Sequence, residues 1–175
     1  VVDDCPGGVV RRADEHDPRP FGDRVGHRGQ VVAEFVGQRN LHRHRADEPG
    51  RQRERARGHV VELVDGEARP YPSAEANQAK GNADPDAFVS VQSIVVDPAD
   101  RLWVLDTGSP LFEETQRGGP KLVCVDLTSD TVVKTILFPQ DVALPTSYLN
   151  DVRFDLRRGA EGVAYLTDSS DQGPN

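Results

Sequence analysis

From residue 60 onward, apolar residues come in short runs broken by Asp, Gly, Pro and Ser, and no long amphipathic helix interrupts them. "HVVELVDGEARPYP" predicts a hairpin: one apolar run, an Asp-Gly turn at 65–66 and a second short strand. "FVSVQSIVVDPADRLWVLDTG" predicts a second hairpin, turning through Asp97-Pro98-Ala99-Asp100. "KLVCVDLTSDTVVKTILFP" predicts a third, turning at Thr128-Ser129-Asp130. "LNDVRFDLRRGAEGVAYLTDSS" predicts a fourth, turning around 157–162. The pattern places the chain in the all-β, antiparallel class.

The second and fourth hairpins repeat one another. Gln92 aligns with Asn150, Ile94 with Val152, Val96 with Phe154 and Asp97 with Asp155, all 58 residues apart. After an insertion in the turn, Trp103 aligns with Tyr165 and Asp106 with Asp168, 62 apart. A unit of about 60 residues holding four strands has the size of a propeller blade with generous loops. A single immunoglobulin-like sandwich also uses short strands, but does not predict this internal alignment.

Composition divides the chain. Residues 1–59 hold all five histidines and 12 of the 18 arginines, yet no lysine or isoleucine and one leucine. Such a segment buries too little apolar area to offset its ordering entropy, so 1–59 is expected to be irregular and 60–175 to be the folded part. Its basic residues are interleaved with Asp and Glu, and the whole chain carries a net charge of -8, which argues against a nucleic-acid partner. His42 and His44 lack the further ligands a metal site needs, and a solvated loop is the better reading of them. No apolar run is long enough to cross a membrane as a helix, and the first residues do not read as a signal peptide. No methionine is present, so the chain is expected to begin inside a longer reading frame. Cys5 and Cys124 are too few for a disulfide framework, and Cys124 in "KLVCVDL" reads as a buried, inert thiol.

The segments "FVSVQSIVVDPADRLWVLDTG", "PKLVCVDL", "FPQDVALPTSYLNDVRFDLRRG" and "AYLTDSS", in that order and spacing, resemble the major royal jelly protein/Yellow family, and its bacterial members in particular. The resemblance spans residues 60–175 and implies a six-bladed β-propeller, usually exported, with a ligand pocket at one mouth of its central channel. It also implies dopachrome-type tautomerisation, or binding of amines and similar aromatic solutes without turnover. "NDVRFD" is similar to a strand start in the gluconolactonase/senescence-marker propellers, where the corresponding Asn lies near a metal and a sugar-lactone site. That likeness implies metal-assisted lactone opening as a further activity, with Ca²⁺ or another hard divalent cation as cofactor. Two departures stand out: the chain stops at "DQGPN", and nothing before residue 60 resembles the family's aromatic "FPRW"-like stretch. An out-of-frame stretch of coding sequence would account for 1–59. About two blades cannot close a ring, so the polypeptide alone is expected to be marginally stable or inactive.

Asn150 and Asp151 begin the expected innermost strand of their blade, where residues line the channel mouth. Family analogy makes Asn150 a ligand-binding and metal-binding candidate, with Gln92 equivalent to it one blade earlier and Asp151 the candidate catalytic group. Strict alternation puts Asn150 and Asp151 on opposite faces, so the two can serve one ligand only through a twist or bulge. The bland alternative is that both satisfy backbone groups at the start of a strand. Asp106 and Asp168, and likewise Asp97 and Asp155, recur with the blade and are expected to bond turn N–H groups. Trp103 and Tyr165 are expected to pack between blades. "LWVLDTGSP" carries an Asp-Thr-Gly-Ser like that of aspartic proteases, but no hydrophobic-hydrophobic-Gly element follows it. The expected partner is a small molecule, with no nucleic acid and no membrane, in an exported parent protein.

Overall fold

The computed structural model of the chain describes residues 9–11, 30–34, 59–65, 67–78 and 84–172. They form ten strands: β1 (Val9–Arg11), β2 (Gln30–Glu34), β3 (His59–Val64), β4 (Glu67–Pro70), β5 (Val91–Val96), β6 (Arg101–Asp106), β7 (Lys121–Asp126), β8 (Thr131–Leu137), β9 (Leu149–Asp155) and β10 (Val163–Asp168). The strands build three antiparallel meanders, ordered β1-β2-β3-β4, β5-β6-β7-β8 and β9-β10. The fold is all-β and is a partial β-propeller: β5–β8 is one whole blade, and β9–β10 repeats its first two strands.

Turn chemistry explains where each strand stops. The Asp97 carboxylate accepts the Ala99 N–H at 2.8 Å, and Asp126 accepts those of Thr128 and Ser129 at 2.7 and 3.0 Å. Asp155 accepts the Arg157 N–H at 3.1 Å. Each aspartate thus bonds backbone just ahead of it and turns the chain back. Asp65, Asp100 and Asp130 take the left-handed conformation that short polar side chains tolerate. The Asp-Gly hairpin is where the pattern put it, with Val64 opposite Glu67.

The continuous apolar character of β6 and β7 follows from burial on both faces. Leu102 and Val104 of β6, with Val123 and Val125 of β7, face a core shared with Val60, Tyr71 and Phe88. The intervening residues Trp103, Leu105, Leu122 and Cys124 face a second core with Leu149 and Val152 of β9. The blade is therefore held between its two neighbours, while β8 is exposed along its whole length. β9 runs beside β5, placing the first strands of two successive blades next to each other.

Two outcomes differ from the sequence-based expectations. Within 1–59, the short apolar runs at Val9–Arg11 and Gln30–Glu34 form strands that pair in one sheet with β3. Runs of this length carry too little periodicity to stand out from their charged surroundings. His42, His44 and Cys5 lie outside the described residues. Tyr165 is 48 % exposed rather than packed between blades, because no described sheet covers its face of β10.

Candidate functional site

The strand starts hold the interest. In the β5–β6 pair, Val91 lies opposite Asp106 and Ser93 opposite Leu105, so Gln92 is the extra residue of a bulge. In the β9–β10 pair, Leu149 lies opposite Asp168 and Asp151 opposite Thr167, which makes Asn150 the extra residue of an equivalent bulge. Strict alternation therefore fails at both places. Leu149 and Val152, three apart, enter the same core, as do Val91 and Ile94. Asn150 and Asp151, lying between two buried residues, both remain accessible. This corrects the expectation of opposite faces, for the physical reason that expectation named.

Because β5 and β9 adjoin, residues equivalent in the repeat touch. Gln92 Nε2 donates to Asn150 Oδ1 at 3.2 Å, and Ser93 Oγ donates to Asp151 Oδ1 at 2.8 Å, each pair 58 residues apart. Tyr148 Oη donates to Gln92 Oε1 at 2.9 Å, so a tyrosine and two amides form one chain of hydrogen bonds. The Tyr148 ring in turn stacks on Phe112, with centroids 4.3 Å apart. Asp151 Oδ1 also accepts the Val152 N–H at 2.8 Å and the Arg153 guanidinium at 2.6 Å. Among the described residues, Oδ2 of Asp151 accepts no hydrogen bond. One carboxylate oxygen is thus held in place by three donors, and the side chain as a whole is about one third exposed. The sequence singled out Gln92, Asn150 and Asp151, and the structure brings their strand starts together. Sequence reasoning missed Tyr148 and Phe112, whose contacts depend on loops rather than on the repeat.

The remaining carboxylates serve the blade. Asp106 accepts the N–H groups of Val89, Ser90 and Gly108 at 2.7, 2.9 and 2.9 Å. Asp168 accepts those of Tyr148 and Ser170, both at 2.9 Å, which stand where Ser90 and Gly108 stand in the repeat. Burial pushes the Asp168 carboxyl up, but the hydrogen bonds from Ser170, Ser147 and Tyr148 outweigh it and hold the group below the usual range. Asp97 behaves alike: burial raises it, and Arg101, Trp103 and Ala99 together lower it further. The Asp-Thr-Gly of 106–108 is consequently no protease dyad, since its carboxylate is buried, bonded to three amides and 3.2 Å from the Lys121 ammonium. Lys121 is itself buried and donates to Ala87 O at 2.6 Å. Cys124 is buried and unpaired, and desolvation pushes its thiol up, so it stays protonated.

The expected cation does not fit these residues by themselves. Ca²⁺ takes six to eight oxygens, roughly, and the edge presents one amide oxygen already accepting from Gln92 and one carboxylate beside a guanidinium. Among the described residues, no three His, Cys, Asp or Glu side chains stand together as a metal-binding set.

Comparison with known proteins finds relatives for the same part of the chain. Residues 89–173 match the family model for major royal jelly protein. The chain is 33 % identical over 116 residues to major royal jelly protein 1 of Apis mellifera, covering 60 % of this chain and 25 % of that one. It is 32 % identical over 104 residues to L-dopachrome tautomerase yellow-f of Drosophila melanogaster, covering 57 % and 24 %. It is 36 % identical over 67 residues to dopaminechrome tautomerase of the same fly, covering 37 % and 14 %. The chain spans a quarter or less of the length of each of these relatives. Through the blade formed by β5–β8 and the half blade that follows it, residues 89–173 match the major royal jelly protein family, and the chain is similar there to its Yellow members.

Proposed function

We propose that the bulged edge formed by Gln92, Asn150 and Asp151 is part of a small-molecule site that tautomerises a dopachrome-like ring. The observation that carries this reading is the half-buried Asp151 carboxylate, one oxygen of which is fixed by Ser93 and Arg153 while the other accepts no hydrogen bond among the described residues, next to a pair of linked amides. Tautomerisation of such a quinone moves protons from carbon to its oxygens one at a time: a proton leaves carbon, the electron pair enters the ring system, and a quinone oxygen takes up a proton from solvent. Asp151 Oδ2 accepts the first proton, while the amide N–H groups at Asn150 and Gln92 orient the quinone oxygens. Relatives whose names record L-dopachrome and dopaminechrome tautomerases support the reaction class. An extracellular location belongs to the same reading, by family resemblance.

The experiment follows the decay of L-dopachrome in the presence of the chain. Asp151→Asn, which keeps the shape but not the proton acceptor, is expected to lower the rate about a hundredfold. An unchanged rate would remove Asp151 from the chemistry. Saturable binding of L-dopachrome without turnover would favour the second reading, a binder of aromatic solutes. That reading draws support from the exposed Phe112 ring stacked on Tyr148 at this edge.

A further inference from the structure

The loop between β6 and β7 is pinned at its base and strained at its tip. Gly108 and Gly119 lie so close that a Cβ on Gly108 would sit 2.4 Å from Pro120 N, and Gly108 also has a φ of +64°. Side chains are excluded there, and Gln116 N–H closes the base by donating to Gly108 O at 2.8 Å. Further out, Thr115 donates through its N–H to Pro145 O at 3.0 Å and through Oγ1 to Leu144 O at 3.1 Å, tying the loop to the segment before β9.

The tip, by contrast, buries little apolar surface. Leu111 and Phe112 both adopt left-handed backbone, with φ of 57° and 60°, a conformation that costs any residue with a Cβ. Their side chains are 49 % and 62 % exposed, so burial does not offset the strain. What the conformation achieves is to lay the Phe112 ring against Tyr148, whose hydroxyl reaches Gln92 and, through it, Asn150. The 4.3 Å centroid separation leaves no room for a molecule between the two rings, while Phe112 as a whole stays exposed.

We infer that Phe112 is the stacking platform of the site proposed above, selecting a flat aromatic ring on the face turned away from Tyr148, through which it is joined to the Gln92–Asn150 amides. This rests on the small-molecule reading of that edge and adds to it the group that sets specificity. Tyr148 backs the platform from behind, and the pinned loop base holds it in place. A planar ring gains dispersion and quadrupole complementarity on such a face, which a saturated ring of the same size and charge does not.

The test titrates the full chain with phenethylamine and with 2-cyclohexylethylamine, which differ only in ring saturation, and follows heat of binding. The unsubstituted chain is expected to prefer the aromatic amine by about threefold to tenfold. Phe112→Leu should abolish that preference with an unchanged thermal transition, and Phe112→Trp should keep it. A preference that survives Phe112→Leu, or equal weakening of both amines, would overturn the platform. So would failure of phenethylamine to bind the unsubstituted chain. Absence of L-dopachrome turnover, with the Phe112-dependent preference intact, would instead count against the tautomerase reading and leave the platform standing.

Discussion

Replacing Lys121 with alanine is expected to cost about 3–5 kcal/mol of folding stability, because it leaves the Asp106 carboxylate buried without its cation. Both side chains lie almost wholly inside the protein, 1 % and 0 % exposed, with Nζ 3.2 Å from Oδ2. The three backbone N–H donors at Asp106 remain, but they solvate the charge without neutralising it. Lys121→Ala also frees Ala87 O, which loses a 2.6 Å bond. Denaturant unfolding followed by circular dichroism measures the loss. The double change Asp106→Asn with Lys121→Met removes both charges and should recover a good part of it, since replacing a whole buried ion pair is far milder than breaking one. A single change costing less than about 1 kcal/mol would show that the pair is not buried as described.

Trp103→Ala should be comparably severe, at about 3–5 kcal/mol, by opening a cavity between the blade and β9. The indole is buried against Phe154, with ring centroids 5.0 Å apart, and its Nε1–H donates to Asp97 Oδ2 at 2.9 Å. Removing it deletes the largest side chain of the second core and one donor to a turn carboxylate. The informative control is Tyr165→Ala, at the equivalent place in the repeat. Its ring is half exposed, so its loss should stay within about 0.5–1 kcal/mol. Equal costs at the two positions would mean that the repeat, rather than burial, sets their worth.

Much of the fold was legible because turn aspartates and two-face burial leave marks on composition. Asp97 and Asp155 each close a strand and bond the backbone ahead of them, as their recurrence in the repeat indicated. The recurrence of Asp106 and Asp168 foretold their shared duty at turn amides. The bulges at Gln92 and Asn150 were not legible, because an extra residue in a strand changes register without changing composition. Lys121 was overlooked for a related reason. A lysine opening an apolar strand reads as exposed until antiparallel register puts it opposite the Asp that ends the strand before. A Lys and an Asp at the facing ends of two consecutive apolar strands is the signal that would have revealed it. Tyr148 and Phe112 meet through two loops, and loop proximity is not written in periodicity.

The central claim is that the starts of β5 and β9, 58 residues apart, stand side by side and build one edge of a site. A double-mutant cycle on Ser93 and Asp151 tests it most directly. Unfolding free energies are measured for the unsubstituted chain, Ser93→Ala, Asp151→Asn and the double variant. The 2.8 Å bond between the two side chains predicts a coupling energy of about 1 kcal/mol. Effects that add to within about 0.3 kcal/mol would mean that the two strand starts do not touch in solution, and would contradict the account.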